Sequence, residues 1–225
     1  SEPEQAYAVN RDAAGAIAEG AKRCGAGLIH VSTDFVFGGG RSTPYPDSAS
    51  GDALGVYGRS KWEGEQRVRS IYPEAVVLRT AWVYGCYGSN FVKTMLGLMS
   101  KREEIKVVDD QVGAPTWTYD IAIAMDALIK RNGSGTYNFT NEGVASWYDL
   151  AVATREIGRV QGYPMMVKNI VPIPGSEWAS PAARPAYSVL CKARMRRFLD
   201  YPIPHWRDSL AQMLKGNRKM PDTLT

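Results

Sequence analysis

Apolar positions along the first third of the chain predict a helix, a buried strand, a second helix and a second buried strand. The first 25 residues carry an apolar stripe of helical spacing that ends at Gly25, and Ser1 and Glu4 have the spacing of a capping box. The run "AGLIHVSTDFVF" has a continuous apolar core before a polar pair, which is typical of a strand buried on both faces of a parallel sheet. A helix is predicted from about Tyr57 to Ile71, and "AVVLRTAWVYG" is the second buried strand.

The rest of the chain continues to alternate between helical and strand patterns. The helical segments are "NFVKTMLGLMSKRE", "WTYDIAIAMDALIKR", "SWYDLAVATREIGRV" and "HWRDSLAQMLKG". The strands are "IKVVDD", which is followed by the turn "QVGAPT", and "GTYNFT". Because strands alternate with helices and no internal repeat is visible, the sequence predicts an α/β fold with a doubly wound parallel sheet.

The composition is that of an ordinary globular protein, with 44% hydrophobic and 22% charged residues among 225. No apolar run approaches the roughly 18 residues that a membrane span needs, and the first residues lack the basic and apolar regions of a secretory signal. The three cysteines, Cys24, Cys86 and Cys191, have no metal-type spacing, so we expect free thiols and no bound metal. The sequence therefore predicts a cytoplasmic protein without a membrane contact.

The net charge of +4 is mild, and its densest cluster lies in a helical segment near the C-terminus. This cluster consists of Lys192, Arg194, Arg196 and Arg197. No aromatic stacking residues are interleaved with the charges, which favours a solvated helix face over a nucleic-acid patch. No nucleic-acid partner is expected.

Candidate chemistry lies at the carboxyl ends of the two predicted strands. Thr33 follows the first strand and Trp82 ends the second, while Tyr57 and Lys61 lie four residues apart on the helix between them. Ligands bind outside the carboxyl ends of strands in an open α/β sheet, so the pattern allows these side chains to share one cleft. Residues four apart on a helix project from the same face. An ammonium 4 Å from the phenolate would stabilise it by about 4 kcal/mol at an effective dielectric of about 20, which would lower the pKa of Tyr57 towards neutrality.

Each candidate also has a structural interpretation. With 12 tyrosines in the chain, a Tyr-x-x-x-Lys spacing also arises by chance. Thr33 is alternatively a loop hydroxyl bonded to nearby backbone, and Trp82 is alternatively a core residue. His30 lies within the first strand and is interpreted as a hydrogen-bonded core histidine, not as a base.

Six motifs occur in a characteristic order, "VSTDFVF", "YGRSKWEGEQ", "LRTAWVYG", "NFVKTM", "VVDDQVGAPT" and "RPAYSVL". Together they resemble the dTDP-4-dehydrorhamnose reductases, members of the extended short-chain dehydrogenase/reductase superfamily, over practically the whole chain. The resemblance implies reduction of the C4 ketone of a dTDP-linked deoxyhexose by NADPH or NADH, giving dTDP-L-rhamnose. One departure is Phe35, where such reductases usually have a tyrosine.

The same resemblance implies roles for particular residues. Tyr57 would donate the proton to the developing alkoxide, Lys61 would lower the pKa of Tyr57 and hold the nicotinamide ribose, and Thr33 would hydrogen-bond the ketone oxygen. Ser32 is expected to bind the cofactor together with Tyr57 and Lys61, and Trp82 to orient the sugar. The other residues expected to contact the substrate are Asp34, Val36, Asn90, Gln111, Pro115 and Thr116.

The resemblance also divides the chain. Residues 1–110 are expected to form a partial, truncated Rossmann-like domain that carries the Tyr57 and Lys61 site, and residues 111–225 mainly a substrate-binding lobe with some segments returning to the sheet. Such reductases begin with a strand and a glycine-rich turn that receives the pyrophosphate, whereas this sequence starts in what resembles the helix before the fourth strand. The glycines at 38–40 and 51–58 lack the strand-turn-helix context and are interpreted as loops.

An incomplete dinucleotide cradle leaves other functions open. The first strand would have an open edge, so a homodimer or a second polypeptide completing the fold is expected. One alternative function is a non-enzymatic remnant that binds a sugar nucleotide or a protein partner. An epimerase or dehydratase on the same scaffold fits less well, because "DDQVGAPT" and "RTAWVYG" are typical of the reductases.

Overall fold

A computed structural model describes residues 3–178 and 183–217, which leaves Ser1 of the predicted capping box outside the described residues. The described chain forms two units. Unit 1 comprises residues 3–81, 121–140 and 183–202, and unit 2 comprises residues 82–120, 141–178 and 203–217. Each unit is built from three segments, so neither is one continuous stretch of sequence.

Unit 1 begins with a long helical stretch, which consists of α1 (Pro3–Tyr7), a π-helix (Ala8–Ala13) and α2 (Ala14–Arg23). The sequence predicted a single helix here, and the structure interrupts it with the wider π-turns, which periodicity does not reveal. The helix α3 (Val56–Ile71) packs against this stretch through small side chains. Their shared core consists of Ala14, Ala18, Val68 and Ala75.

Three parallel strands form the sheet of unit 1, in the order β1 (Ile29–Thr33), β2 (Val76–Thr80) and β7 (Gly135–Asn138). All five residues of β2 are buried because this strand lies between the other two. The prediction that β1 is buried on both faces is wrong, since Val31 is 42% exposed on this edge strand. Unit 1 also contains α7 (Ala193–Phe198) and residues 121–130 of α5 (Thr118–Lys130), which precedes β7. The prediction of an α/β fold with parallel strands is confirmed.

Unit 2 starts where the second predicted strand breaks. β2 ends at Thr80, and the chain resumes extended structure only at β3 (Val83–Tyr84), after Trp82 has adopted a φ of 47°. The helices of unit 2 are α4 (Phe91–Met99), α6 (Trp147–Val160) and α8 (Trp206–Asn217).

Short strands complete unit 2 in three pairs. β3 pairs in parallel with β6 (Thr116–Trp117), β4 (Glu104–Val108) pairs in parallel with β9 (Asn169–Ile173), and β5 (Val112–Gly113) pairs antiparallel with β8 (Ala145–Ser146). The sequence predicted β4 but none of β5, β6, β8 and β9, because two-residue strands and a strand containing Pro172 carry little periodic signal.

The helices of unit 2 enclose its largest core cluster, which includes Tyr84, Val92, Leu150, Leu210 and Met213. Burial of these side chains fixes the orientation of α4, α6 and α8 within the unit. Across the described part of the chain, no helix has both the length and the apolar character that crossing a membrane requires.

Candidate active site

Thr33 and Tyr57 meet at the carboxyl end of β1. Thr33 is the last residue of β1 and caps the short 3-10 helix Asp34–Val36, so that its hydroxyl accepts the Phe35 N–H at 3.2 Å. Tyr57 lies in the first turn of α3, where its phenol is close enough to the Thr33 hydroxyl to be influenced by it. The ring of Phe35 approaches that of Tyr57 edge-on, with ring centroids 5.9 Å apart. Tyr57 remains 52% exposed, so a ligand can reach it.

The electrostatics of Tyr57 differ from the sequence prediction. Partial burial raises the pKa of Tyr57 above its ordinary value, while the neighbouring Thr33 hydroxyl lowers it and the charge of Asp34 raises it. The prediction that Lys61 lowers the pKa of Tyr57 is therefore wrong. Lys61 instead donates from Nζ to the Val31 carbonyl at 2.7 Å. Burial lowers the pKa of Lys61, and the nearby charge of Glu65 partly offsets this by raising it.

A buried ion pair lies beneath this site. Glu65 and Arg79 have fully buried side chains and are joined by three hydrogen bonds, the shortest from Arg79 Nη2 to Glu65 Oε2 at 2.7 Å. Ser32 donates to Glu65 Oε1 at 2.6 Å. The guanidinium of Arg79 also lies over the rings of Phe37 and Trp62, at 5.1 and 5.4 Å from their centroids. Ser32, predicted to bind the cofactor, therefore uses its hydroxyl inside unit 1.

Glu65 and Arg79 were not among the predicted site residues, although the sequence carries a signal for both. Arg79 interrupts the apolar run "VVLRT", and a charge inside a fully buried strand requires a partner. Glu65 lies four residues after Lys61 and eight after Tyr57, on the helix that carries the proposed acid. The pair therefore ties α3 to β2, and Ser32 extends this connection to β1.

Asp34 and Val36, both predicted to contact substrate, lie inside unit 1. Asp34 is 1% exposed. Burial raises its pKa to about 6, and interactions with the hydroxyl groups of Ser188 and Thr33 partly offset this by lowering the pKa. The Thr33 hydroxyl donates to Asp34 Oδ1 at 3.1 Å, and Asp34 Oδ2 has no hydrogen-bond partner among the described residues. Val36 has a fully buried side chain and packs with Phe37. Both side chains are therefore enclosed within unit 1.

His30 is not the hydrogen-bonded core histidine that the sequence predicted. Its Nε2 is buried without a partner among the described residues. Burial, reinforced by the charge of Lys61, lowers the pKa of His30 to about 4. His30 is therefore neutral at physiological pH.

Trp82 and Gln111 belong to an aromatic cluster in unit 2. The indole of Trp82 stacks on that of Trp147, with centroids 3.6 Å apart and an interplanar angle of 2°. Trp147 donates from Nε1 to Gln111 Oε1 at 3.2 Å, and Phe91 packs against Trp147 at 4.7 Å. The left-handed backbone at Trp82 costs about 1–3 kcal/mol for a non-glycine residue, and such strain concentrates at functional sites. Trp147 was predicted only as a residue at the start of a helix.

Asn90, Pro115 and Thr116 are engaged within unit 2. Asn90 caps α4 by accepting the Lys93 N–H at 3.1 Å, and its amide donates to the Gly85 carbonyl at 2.8 Å. Pro115 and Thr116 are buried, and the Thr116 hydroxyl donates to the Ala114 carbonyl at 3.1 Å. Their side chains therefore shape the unit that carries Trp82 and Gln111.

A cavity of about 430 Å³ in unit 2 contains none of the predicted site residues. It is lined by Asp109, Val112, Val144, Ala145, Ser146, Tyr148 and Asp149. The predicted site residues therefore do not line this cavity.

The glycine loop at 38–40 already uses two of its backbone donors. The Gly38 N–H donates to Asp52 Oδ1 at 2.6 Å, and the Gly39 N–H donates to the Tyr45 hydroxyl at 3.0 Å. These internal hydrogen bonds support the interpretation of the segment as a loop without a phosphate-binding role.

Comparison with known proteins identifies the family. Residues 1–219 match the family model described as the RmlD substrate binding domain. The chain belongs to this family. It is 38% identical over 222 residues to dTDP-4-dehydrorhamnose reductase of Sinorhizobium fredii, covering 95% of this chain and 74% of that protein. It is 41% identical over 187 residues to dTDP-4-keto-6-deoxy-D-glucose reductase of Streptomyces niveus, covering 82% of this chain and 63% of that protein.

Solved structures agree with this family membership. The chain matches dTDP-4-dehydrorhamnose reductase of Bacillus anthracis in complex with NADP, with a TM-score of 0.88, 36% identity, and coverage of 94% of this chain and 73% of that one. The dTDP-glucose 4,6-dehydratase of the same organism, in complex with NAD, gives a TM-score of 0.75 at 16% identity, which shows the shared fold alone. The chain thus spans about three quarters of the length of the solved RmlD-family reductase.

Proposed function

We propose that this protein is an NAD(P)H-dependent reductase that converts the C4 ketone of a dTDP-linked deoxyhexose into an alcohol and so forms dTDP-L-rhamnose. Relatives at 38% and 41% identity are named reductases of such sugar nucleotides. The observation that carries the proposal is the position of an exposed tyrosine beside a buried hydroxyl: Thr33 ends β1, and Tyr57 lies in the first turn of α3 with its ring against Phe35.

Reduction of a ketone needs one hydride and one proton, and the chain supplies the proton. A bound nicotinamide cofactor supplies the hydride. Tyr57 is protonated at neutral pH because its pKa is raised, so it has a proton to donate to the oxygen that becomes the alcohol. We assign to Thr33 the orientation of that oxygen, for which its hydroxyl must turn away from Asp34 Oδ1. The residues at this end of β1 also fit the ribose of the cofactor: one of the three N–H groups of the Lys61 ammonium donates to Val31, which leaves two for ribose hydroxyls.

Trp82 and Gln111 are the residues of unit 2 that we propose to contact the sugar. Trp82 offers an aromatic surface and Gln111 an amide group, and both side chains are partly exposed. We assign Asn90, Pro115 and Thr116 to the support of these two residues, because their side chains are engaged within unit 2. In unit 1, Asp34 supports Thr33, Ser32 supports α3 through Glu65, and Val36 belongs to the core.

Replacement of Tyr57 by phenylalanine tests the proposal. We expect Tyr57→Phe to lower the turnover of dTDP-4-dehydro-L-rhamnose with NADPH by about 10²- to 10⁴-fold, because the variant lacks the general acid. The matched control is Tyr87→Phe, which removes a hydroxyl from a tyrosine that is 75% exposed and should leave turnover unchanged. Equal turnover by the Tyr57→Phe variant and the parent would contradict the role of Tyr57.

Product analysis in the same assay separates the competing functions. Formation of dTDP-L-rhamnose supports a reductase, whereas an epimerised or dehydrated sugar would indicate one of the other activities. Binding of the sugar nucleotide without any turnover would favour a non-enzymatic binding module. The names of the relatives do not favour that alternative.

We further propose a cytosolic location and a partner chain at the edge of the sheet in unit 1. Cys24, Cys86 and Cys191 are free, which is typical of proteins in a reducing compartment. Among the described residues β1 pairs only with β2, so one edge of β1 is available to a strand of a second copy or of another polypeptide.

A further inference from the structure

The backbone of Trp82 is held in a conformation that a bulky residue rarely adopts. Its φ of 47° lies in the left-handed region, which persists only where the surrounding structure determines it. The Thr116 N–H donates to the Trp82 carbonyl at 3.1 Å, and the pairing of Val83 with Thr116 begins at the next residue. The strand β6 therefore fixes the peptide that carries the Trp82 side chain.

Two residues define the position of the Trp82 indole. One ring face packs on Trp147 in a parallel stack at 3.6 Å. Gly113 approaches the ring so closely that a Cβ at this position would lie 2.5 Å from Trp82 Nε1 and Cε2. Only glycine at position 113 leaves room for the indole in its present position. The backbone of Gly113 is not left-handed, so the close approach of the indole, and not the backbone conformation, requires glycine here.

Trp147 also determines how the amide of Gln111 is turned. The indole Nε1–H is a donor only, so the group of Gln111 that faces it at 3.2 Å must be the amide oxygen. The amide NH₂ is therefore directed away from Trp147, on the side of Gly175, and keeps its two N–H donors. Without the indole N–H, this hydrogen bond would no longer select the orientation of the amide.

We propose that Trp147 and Gly113 are positioning residues that fix the indole of Trp82 and the amide of Gln111 as a preformed surface for the deoxyhexose. The inference rests on the proposed function and assigns the recognition of the sugar to a named pair. A 6-deoxyhexose has a methyl group and C–H bonds that suit an aromatic face, and hydroxyl groups that suit an amide donor. Because the surface is already ordered, sugar binding does not incur the entropy cost of arranging it.

The measurement is the ratio of the dissociation constant of dTDP to that of dTDP-L-rhamnose, determined by calorimetry on the full chain. This ratio isolates the contribution of the sugar, whereas loss of folded protein would reduce binding of both ligands. We expect Trp147→Leu and Gly113→Ala to lower the ratio by about tenfold, because both displace the indole of Trp82. Trp147→Phe keeps an aromatic ring but loses the N–H, so we expect a decrease of about threefold, matched by Gln111→Ala.

Two control variants should leave the ratio unchanged. Trp178→Phe changes a tryptophan of unit 2 that is 54% exposed, and Gly97→Ala adds a methyl group where no atom lies within 4 Å. A parent-like ratio in Trp147→Phe and Gly113→Ala would overturn the inference and leave the proposed function intact. Failure of the unsubstituted chain to bind either ligand or to turn over would overturn the proposed function, and the inference with it.

Discussion

Asp34 combines almost complete burial with a hydrogen bond from the Thr33 hydroxyl. Its pKa is raised to about 6 in the folded chain, against 3.8 for the ordinary carboxyl group. Below pH 4 both the folded and the unfolded chain are protonated at this residue, and above pH 6 both are ionised. Stability is therefore lost as the pH rises through this window, because only the folded chain holds the ionised group in a buried site.

The Asp34→Asn variant should consequently gain stability with rising pH relative to the parent. We expect the difference in unfolding free energy between variant and parent to grow by up to about 3 kcal/mol from pH 4 to pH 8. Urea unfolding at both pH values measures it, and any loss of hydrogen bonds in the variant affects both values equally. Glu19→Gln on the exposed side of α2 is the control and should show a flat difference. A difference for Asp34→Asn that does not change with pH would refute the assignment.

The sequence predicts which residues lie near the site more reliably than it predicts the hydrogen-bond partner of each side chain. Motif order placed Thr33 and Tyr57 in one predicted site, and in the structure they lie at the end of β1 and in the first turn of α3. Ser32 and Thr116 lie in the same motifs, but their hydroxyl groups donate to Glu65 and Ala114 inside the protein. Spacing along the chain does not encode the hydrogen-bond partner of a buried hydroxyl, because that partner comes from a distant segment or a local turn.

At the scale of elements, the contact between α3 and the first helical stretch depends on the absence of a side chain. A Cβ at Gly64 would collide with the backbone carbonyl of Asn10, in the π-helix. The adjacent turn of α3 is joined to this π-helix by a hydrogen bond from Asn10 to Ser60 at 3.0 Å. The position of the helix that carries Tyr57 and Lys61 is therefore set in part by this close approach.

We predict opposite effects for alanine at two helical glycines. Gly64→Ala should destabilise the chain by about 1–3 kcal/mol, because the new methyl group forces the two helices apart. Gly20→Ala on α2 adds the same methyl group where no atom lies within 4 Å, and should stabilise by up to about 1 kcal/mol through helix propensity. Thermal unfolding of the two variants beside the parent measures both effects. If the Gly64→Ala variant were as stable as Gly20→Ala, the close approach of Gly64 to the Asn10 carbonyl would be contradicted.

Hydrophobic periodicity predicts the bounds of α3 but not the end of β2. It located α3, which the sequence placed from about Tyr57 to Ile71 and the structure places at Val56–Ile71. It treated "AVVLRTAWVYG" as one strand, because apolar residues continue through the point where Trp82 turns the backbone. A change of φ at one residue leaves no mark on a hydrophobic pattern.

For the whole molecule, long-range pairing is the part of the fold that the sequence left open. β4 and β9 are separated by about 60 residues and still pair in full register, from Glu104 with Asn169 to Val108 with Ile173. Each unit also gathers three separate segments of chain. Local propensity carries no information on such partners, whereas the family resemblance does, because it transfers a complete topology.

The edge of β1 leads to a prediction about assembly. Within the described residues β1 pairs with β2 alone, and Val31 on this edge is 42% exposed. The Val31 carbonyl accepts from Lys61, but the other unpaired backbone groups of an edge strand favour pairing with another strand, and a lysine side chain on that strand opposes it. We therefore expect sedimentation velocity at tens of micromolar (about 20–50 µM) to show a dimer fraction that Val31→Lys reduces. Val160→Lys changes a valine that is 89% exposed in unit 2 and should leave the fraction unchanged. Monomer alone at these concentrations, or an equal effect of both lysines, would mean that the edge of β1 does not mediate association.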